Sequence, residues 1–211
     1  TNLLFHISGT HGVEAFAGSG IQHEFLTTPP KYIPSDTAIV FVHCLNPFGM
    51  AFNRRVNEDN IDLNRNFTDE RTTPEAYDKL DPMINPKVPV PFSQEAFLAV
   101  CQEVGGYPAA KKALAEGQYT YPEGLFYGGT QEAEGPQKVI DWLKVTLEDL
   151  NREWNDVSIG VLDVHTGLGE HGVDTLLTPE APTEDMTNFF GEKMSEAMRT
   201  ATTGYKPKGL F

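Results

Sequence analysis

The chain has 211 residues, enough for one domain with a sizeable core. A formal charge of −14 argues against nucleic acid, whose phosphates demand a basic surface, and no run of about 18 apolar residues is present to cross a membrane. Two cysteines, Cys44 and Cys101, are too few for a disulfide framework and point to a reducing, cytoplasmic compartment.

The chain opens, without Met or a charged apolar leader, on a strand-type run, Leu3-Leu4-Phe5-His6-Ile7, that stops at Ser8-Gly9. His11 and Glu14 follow three residues apart, and residues 15–26 read as a helix. A strand that gives way to a helix leaves a water-accessible end, where α/β proteins keep their ligands. A His and a Glu at that place suggest a metal. His6, inside the apolar run, reads as a satisfied core residue, and His23, on the helix, as surface.

Residues 37–45 are nearly continuous β-rich apolar sequence, as suits a strand covered on both faces, with His43 and Cys44 in the core. Asn46-Pro47-Phe48-Gly49 reads as a turn. Residues 52–69 are dominated by Asn, Asp and Arg, which favours loops, yet the density of arginines and acids is unusual for a connector. Arg65 with Asn64, and Arg55 or Arg54 before them, can clamp a carboxylate bidentately; the plainer reading is a solvated loop with ion pairs to Asp59 and Asp62. Residues 72–91 are rich in Pro and charge and read as an exposed excursion.

Ser93 is placed to cap a helix running to Val104, with Gly105-Gly106 as its stop. A short helix over residues 108–116 ends at Gly117. Residues 119–129 form an aromatic, glycine-rich loop. Pro136 opens a helix whose apolar stripe is Leu143, Leu147, Leu150 and Trp154. Residues 157–164 are the third strand-like run, leading into Asp163-Val164-His165-Thr166-Gly167. Thr183 or Asp185 starts a last helix, stopped near Gly204. The alternation predicts a three-layer α/β domain, a mostly parallel or mixed sheet flanked by helices, with no internal boundary over residues 1–211.

His11, Glu14 and His165 all lie just past strand ends, and strand ends that meet at one sheet edge bring distant residues together. Two His and one carboxylate with a fourth position for water is the ligand set of catalytic zinc in hydrolases. Asp163 shares the strand phase of His165 and is placed to orient that imidazole. His171, beside Glu170 in a glycine-rich loop, is the rival third ligand.

His11-Gly12-Val13-Glu14, then Asp62-Leu63-Asn64-Arg65-Asn66-Phe67, then Asp163-Val164-His165 resemble the zinc carboxypeptidase family and its aspartoacylase and succinylglutamate desuccinylase relatives, most closely a branch of unassigned substrate. The resemblance implies a zinc carboxypeptidase-like catalytic domain, with zinc on His11, Glu14 and His165. It matches Asn64 and Arg65 to the pair that binds a substrate's terminal carboxylate. It matches Arg55, or Arg54 in its place, to the arginine that holds the oxyanion. Tyr127, in a loop similar to one beside the family's cleft, either lines the pocket or packs as a turn aromatic. The implied activity is hydrolysis of a peptide or amide bond next to a free carboxylate, the substrate being a small peptide or an N-acyl amino acid. The alternatives are an N-acyl amino acid deacylase and a zinc-cleft binding module without a base. Glu170, Glu180 and Glu184 do not match the family's late general-base glutamate, so the chain reads as truncated, with that residue expected beyond Phe211.

Overall fold

A computed structural model describes residues 2–167, together with residues 171, 176 and 184. Strands β1 (Asn2–Ser8), β2 (Thr37–His43) and β3 (Ser158–Val164) form a parallel sheet in the order β2-β1-β3. Helix α1 (Ala15–Thr27) links β1 to β2. Helices α2 (Pro47–Phe52), α3 (Glu75–Ile84), α4 (Gln94–Glu103), α5 (Tyr107–Glu116) and α6 (Glu134–Asp149) lie between β2 and β3.

The period of two in β1 sorts its side chains into two layers. Leu3, Phe5 and Ile7 face one way and pack with Leu143 and Leu147 of α6, where the Phe5 and Trp142 rings meet edge to face at 6.0 Å. His6 and Ser8 face α1. There the buried Gln22 amide donates to the His6 carbonyl at 2.9 Å and lies 3.3 Å from His6 Nδ1, so that ring nitrogen has a partner, while His6, expected in the core, is only half-buried. The predicted α/β layering is therefore observed, with helices on both faces of a parallel sheet. Each fully buried side chain such as Ile7 or Leu63 contributes about 1.5–3 kcal/mol.

Several expectations need correction. β2, expected to be covered on both faces, is an edge of the described sheet and only half-buried, because β1 alone has a strand on either side. His43 is exposed, its Nε2 lying 2.8 Å from Ser19 Oγ, and Cys44 is only half-buried. Pro47 opens α2, capped by the Asn46 side chain accepting from Gly49 N–H, where a plain turn was expected. The exposed excursion contains α3, whose Tyr77 and Leu80, one turn apart, are fully buried.

Leu80, Cys101, Ala110 and Ala113 form a second core among α3, α4 and α5. The Ser93 cap is present, its hydroxyl accepting from Ala96 N–H at 3.2 Å. In the α6 stripe Leu143 and Leu147 are buried, whereas Leu150 and Trp154 stand about half exposed, since the helix has ended by then. No helix among the described residues is long and apolar enough to cross a membrane. The expected helix between Thr183 and Gly204 lies outside the described residues, Glu184 excepted.

Candidate metal centre

The carboxyl ends of β1 and β3 lie side by side, Ser8 paired with Val164. Beyond Ser8 the chain reverses at Gly9, whose φ of +72° an L side chain rarely adopts and where a Cβ would fall 2.8 Å from both Ala15 Cβ and Cys44 Cβ. His11 then leads into a 3-10 turn, Gly12–Glu14. That turn packs directly on α2: a Cβ on Gly12 would meet the Gly49 carbonyl carbon at 2.0 Å, so only glycine fits. Val13 N–H bonds to the Arg54 carbonyl at 3.0 Å and fixes the turn from outside.

These constraints bring His11, Glu14 and His165 together, one ligand atom of each within 4.8 Å of the others. His11 Nδ1 lies 2.9 Å from Glu14 Oε1 and 3.2 Å from His165 Nδ1. His165 Nδ1 stands 3.7 Å from Glu14 Oε2, which also accepts the Thr166 N–H. On its other nitrogen each imidazole meets a carboxylate. His11 Nε2 lies 3.2 Å from Asp62 Oδ1, and His165 Nε2 lies 2.7 Å from Asp163 Oδ2. Ionised carboxylates only accept, so the contacts with Asp62 and Asp163 put a proton on each Nε2; on the inner side His11 Nδ1 also faces a carboxylate, Glu14, and a bound cation would take both Nδ1 lone pairs in place of a proton.

Two lone pairs and a carboxylate oxygen that face each other repel unless a cation or a proton lies among them. Two nitrogen ligands on one tetrahedral zinc stand about 3.3–3.4 Å apart, from bond lengths of about 2.0–2.1 Å. The observed 3.2 Å between the Nδ1 atoms fits that spacing. The donor set, two imidazoles and a carboxylate each backed by a further polar partner, is the chemistry zinc takes.

The same groups perturb one another. Burial would raise the Glu14 carboxyl, but hydrogen bonds from His11, His165 and the Thr166 N–H outweigh it and hold the group well below the usual carboxylate range. Burial would lower His165, yet Asp163 and Glu14 push it up to about 9. Asp62, fully buried, is likewise held low against its burial, by His11, Arg55 and Arg65.

Asp62, expected as an ion-pair partner of the loop arginines, does pair with Arg55; that it is buried and also backs His11 was not foreseen. Its Oδ1 also accepts from Asn64 N–H at 3.0 Å, and its Oδ2 accepts from Arg55 Nε at 2.9 Å. One carboxylate thus orients both His11 and Arg55. Its place as the first residue of Asp62-Leu63-Asn64-Arg65 was the signal available.

Arg55 lies at the cluster, its Nη1 3.3 Å from His11 Nδ1 and 4.0 Å from Glu14 Oε1. Arg54 has its side chain in solvent. Arg65 is 1 % exposed, and its guanidinium donates to the Ala115 carbonyl at 3.0 Å and the Asn64 carbonyl at 2.7 Å. Asn64 is buried beside it. Asn66 ties the loop after Tyr127 in place, donating to the Gly128 and Gln131 carbonyls and accepting from Ala133 N–H.

Of the two readings of Tyr127 the packed one is observed: the ring lies in the core with Leu45, Ile61 and Leu63. Its neighbour Phe126 is the aromatic at the site, its ring 5.2 Å from the Arg55 guanidinium and 5.5 Å from that of Arg65. His171 is exposed and outside the metal-capable cluster, and Glu170 and Glu180 lie outside the described residues.

No curated protein and no solved structure matches the chain. A family model does, over residues 1–210, so the chain belongs to the family described as Protein of unknown function (DUF2817).

Proposed function

We propose that this protein is a zinc-dependent hydrolase of a peptide or amide bond adjacent to a free carboxylate, built on a zinc carboxypeptidase-like plan. The observation that carries the reading is the inward meeting of His11 Nδ1, Glu14 and His165 Nδ1, with Asp62 and Asp163 behind the two rings. Zinc held there supplies a Lewis acid and a bound water whose pKa falls to about 7.

Arg55, fixed through Nε by Asp62, directs its Nη1 side toward His11 and Glu14, where a guanidinium can hold an oxyanion or a substrate carboxylate. Asn64 and Arg65, the pair the resemblance matches to that carboxylate, are both buried, and the Arg65 guanidinium donates to the Ala115 and Asn64 carbonyls, so in this proposal Arg55 takes the substrate's charge and Arg65 holds the loop beneath it. The substrate is a small peptide or an N-acyl amino acid, the latter making the enzyme a deacylase.

One observation favours a second reading. Among the described residues Glu14, Asp62 and Asp163 each already hold an imidazole or a guanidinium, so none of the three is left to take a proton from water. A zinc-cleft binding module shares that arrangement. Metal analysis followed by assays on short peptides and on N-acyl amino acids separates the readings. Zinc with turnover of either substrate supports the hydrolase, zinc without turnover supports the binding module, and absence of zinc overturns both.

A further inference from the structure

We propose that Thr10 is a positioning residue of this metal centre, its hydroxyl fixing Asp163 so that His165 presents Nδ1 to His11 and Glu14. The inference rests on the metal-centre reading above. Thr10 sits between the Gly9 reversal and His11 and is fully buried. Its Oγ1 lies 2.9 Å from each oxygen of Asp163, 153 residues away in the chain. One hydroxyl proton serves two oxygens, so the contact centres the carboxylate on Thr10. Asp163 Oδ2 then takes His165 Nε2 at 2.7 Å.

The two carboxylates behind the rings are held very differently. Asp62 has the Asn64 N–H and the Arg55 guanidinium besides His11, so its orientation is fixed several times over. For Asp163, the hydrogen bonds among the described residues come from Thr10 and His165. The carboxylate can therefore turn about its Cβ–Cγ bond when the Thr10 hydroxyl is lost, and the His165 ring turns with it. A buried hydroxyl requires an acceptor in any case, so a change in stability would not by itself assign the role. A change at the metal would.

The test is a double-mutant cycle on zinc affinity, measured by competition with a chelator, with Co²⁺ absorption as a report on ligand geometry. Thr10→Val keeps the side-chain shape and removes the donor. It is expected to weaken zinc binding about tenfold, the lower end for changes behind a metal ligand, and to alter the Co²⁺ spectrum. Thr10→Ser is expected to restore both. In an Asp163→Ala background, which removes both acceptor oxygens, Thr10→Val is expected to cost less than about twofold more. Thr10→Ala serves as a second donor-less variant. Zinc affinity and Co²⁺ spectrum unchanged in Thr10→Val, or the same tenfold loss in both backgrounds, overturns the proposal. So does failure of both donor-less variants to fold while Thr10→Ser folds, which marks a structural hydroxyl only. A wild-type chain that binds no zinc overturns the metal-centre reading and this inference with it.

Discussion

Asp62 joins Arg55 to the metal-capable cluster: one oxygen accepts Arg55 Nε at 2.9 Å while the other faces His11 Nε2 at 3.2 Å. A fully buried acid between a guanidinium and an imidazole is costly to neutralise, because both partners lose their counter-charge at once. Asp62→Asn is expected to lower unfolding free energy by about 3 kcal/mol and to weaken zinc binding about 10–100-fold. Urea denaturation and chelator competition measure the two effects. A variant as stable as wild type would mean that the contact carries no energy.

Arg65 is expected to affect folding more than substrate binding. Its guanidinium donates to two backbone carbonyls in the interior, at Ala115 and Asn64. Arg65→Lys cannot reproduce that fork, and a buried acceptor left unpaired costs about 1–3 kcal/mol. The melting temperature should fall accordingly. An undiminished melting temperature with a raised KM would instead return Arg65 to the substrate.

Gly12 tests the seat of the proposed metal ligands. Its Cβ position falls 2.0 Å from the Gly49 carbonyl carbon, and neither backbone can yield without moving the turn that carries His11 and Glu14. Gly12→Ala should destabilise the fold by about 1–3 kcal/mol or more and reduce metal uptake together with it. Normal zinc content in a destabilised Gly12→Ala protein would uncouple the two.

Alkaline stability should depend on Tyr77. Its hydroxyl is buried and donates to the Leu125 carbonyl at 2.7 Å. Burial, the larger cause, together with nearby Asp81 pushes the phenol up to about 12. A folded-state value above the unfolded one of about 10 favours the protonated form in the folded chain. Its contribution is therefore complete below pH 10 and is lost as pH rises toward 12. Urea midpoints at pH 8 and pH 11 should show a drop in wild type that is smaller in Tyr77→Phe. Equal drops in both proteins would assign the alkaline loss to other groups.

The layering and the strand ends were legible because β1, β2 and β3 are apolar runs with helical periods between them. The polar residues 52–69 were not. Asn and Asp composition marks loops, and nothing in composition says that Asp62 and Asn66 are fully buried. Their burial is tolerated because each hydrogen-bonds in several directions. Helix α3 was hidden by its prolines and charges, although Tyr77 and Leu80 share a face. For Arg65 the motif identified the residue, but only the structure located its guanidinium among backbone carbonyls.

Zinc content is the most direct measurement of the centre. Native protein purified without chelator is expected to carry zinc in stoichiometric amount. After stripping, it should gain about 2.7 kcal/mol when free zinc reaches a hundred times its dissociation constant. His11→Ala and His165→Ala proteins are expected to lose both the metal and the gain. Undiminished zinc in either variant, or a stripped wild type whose unfolding zinc does not shift, would contradict a cation held by His11, Glu14 and His165.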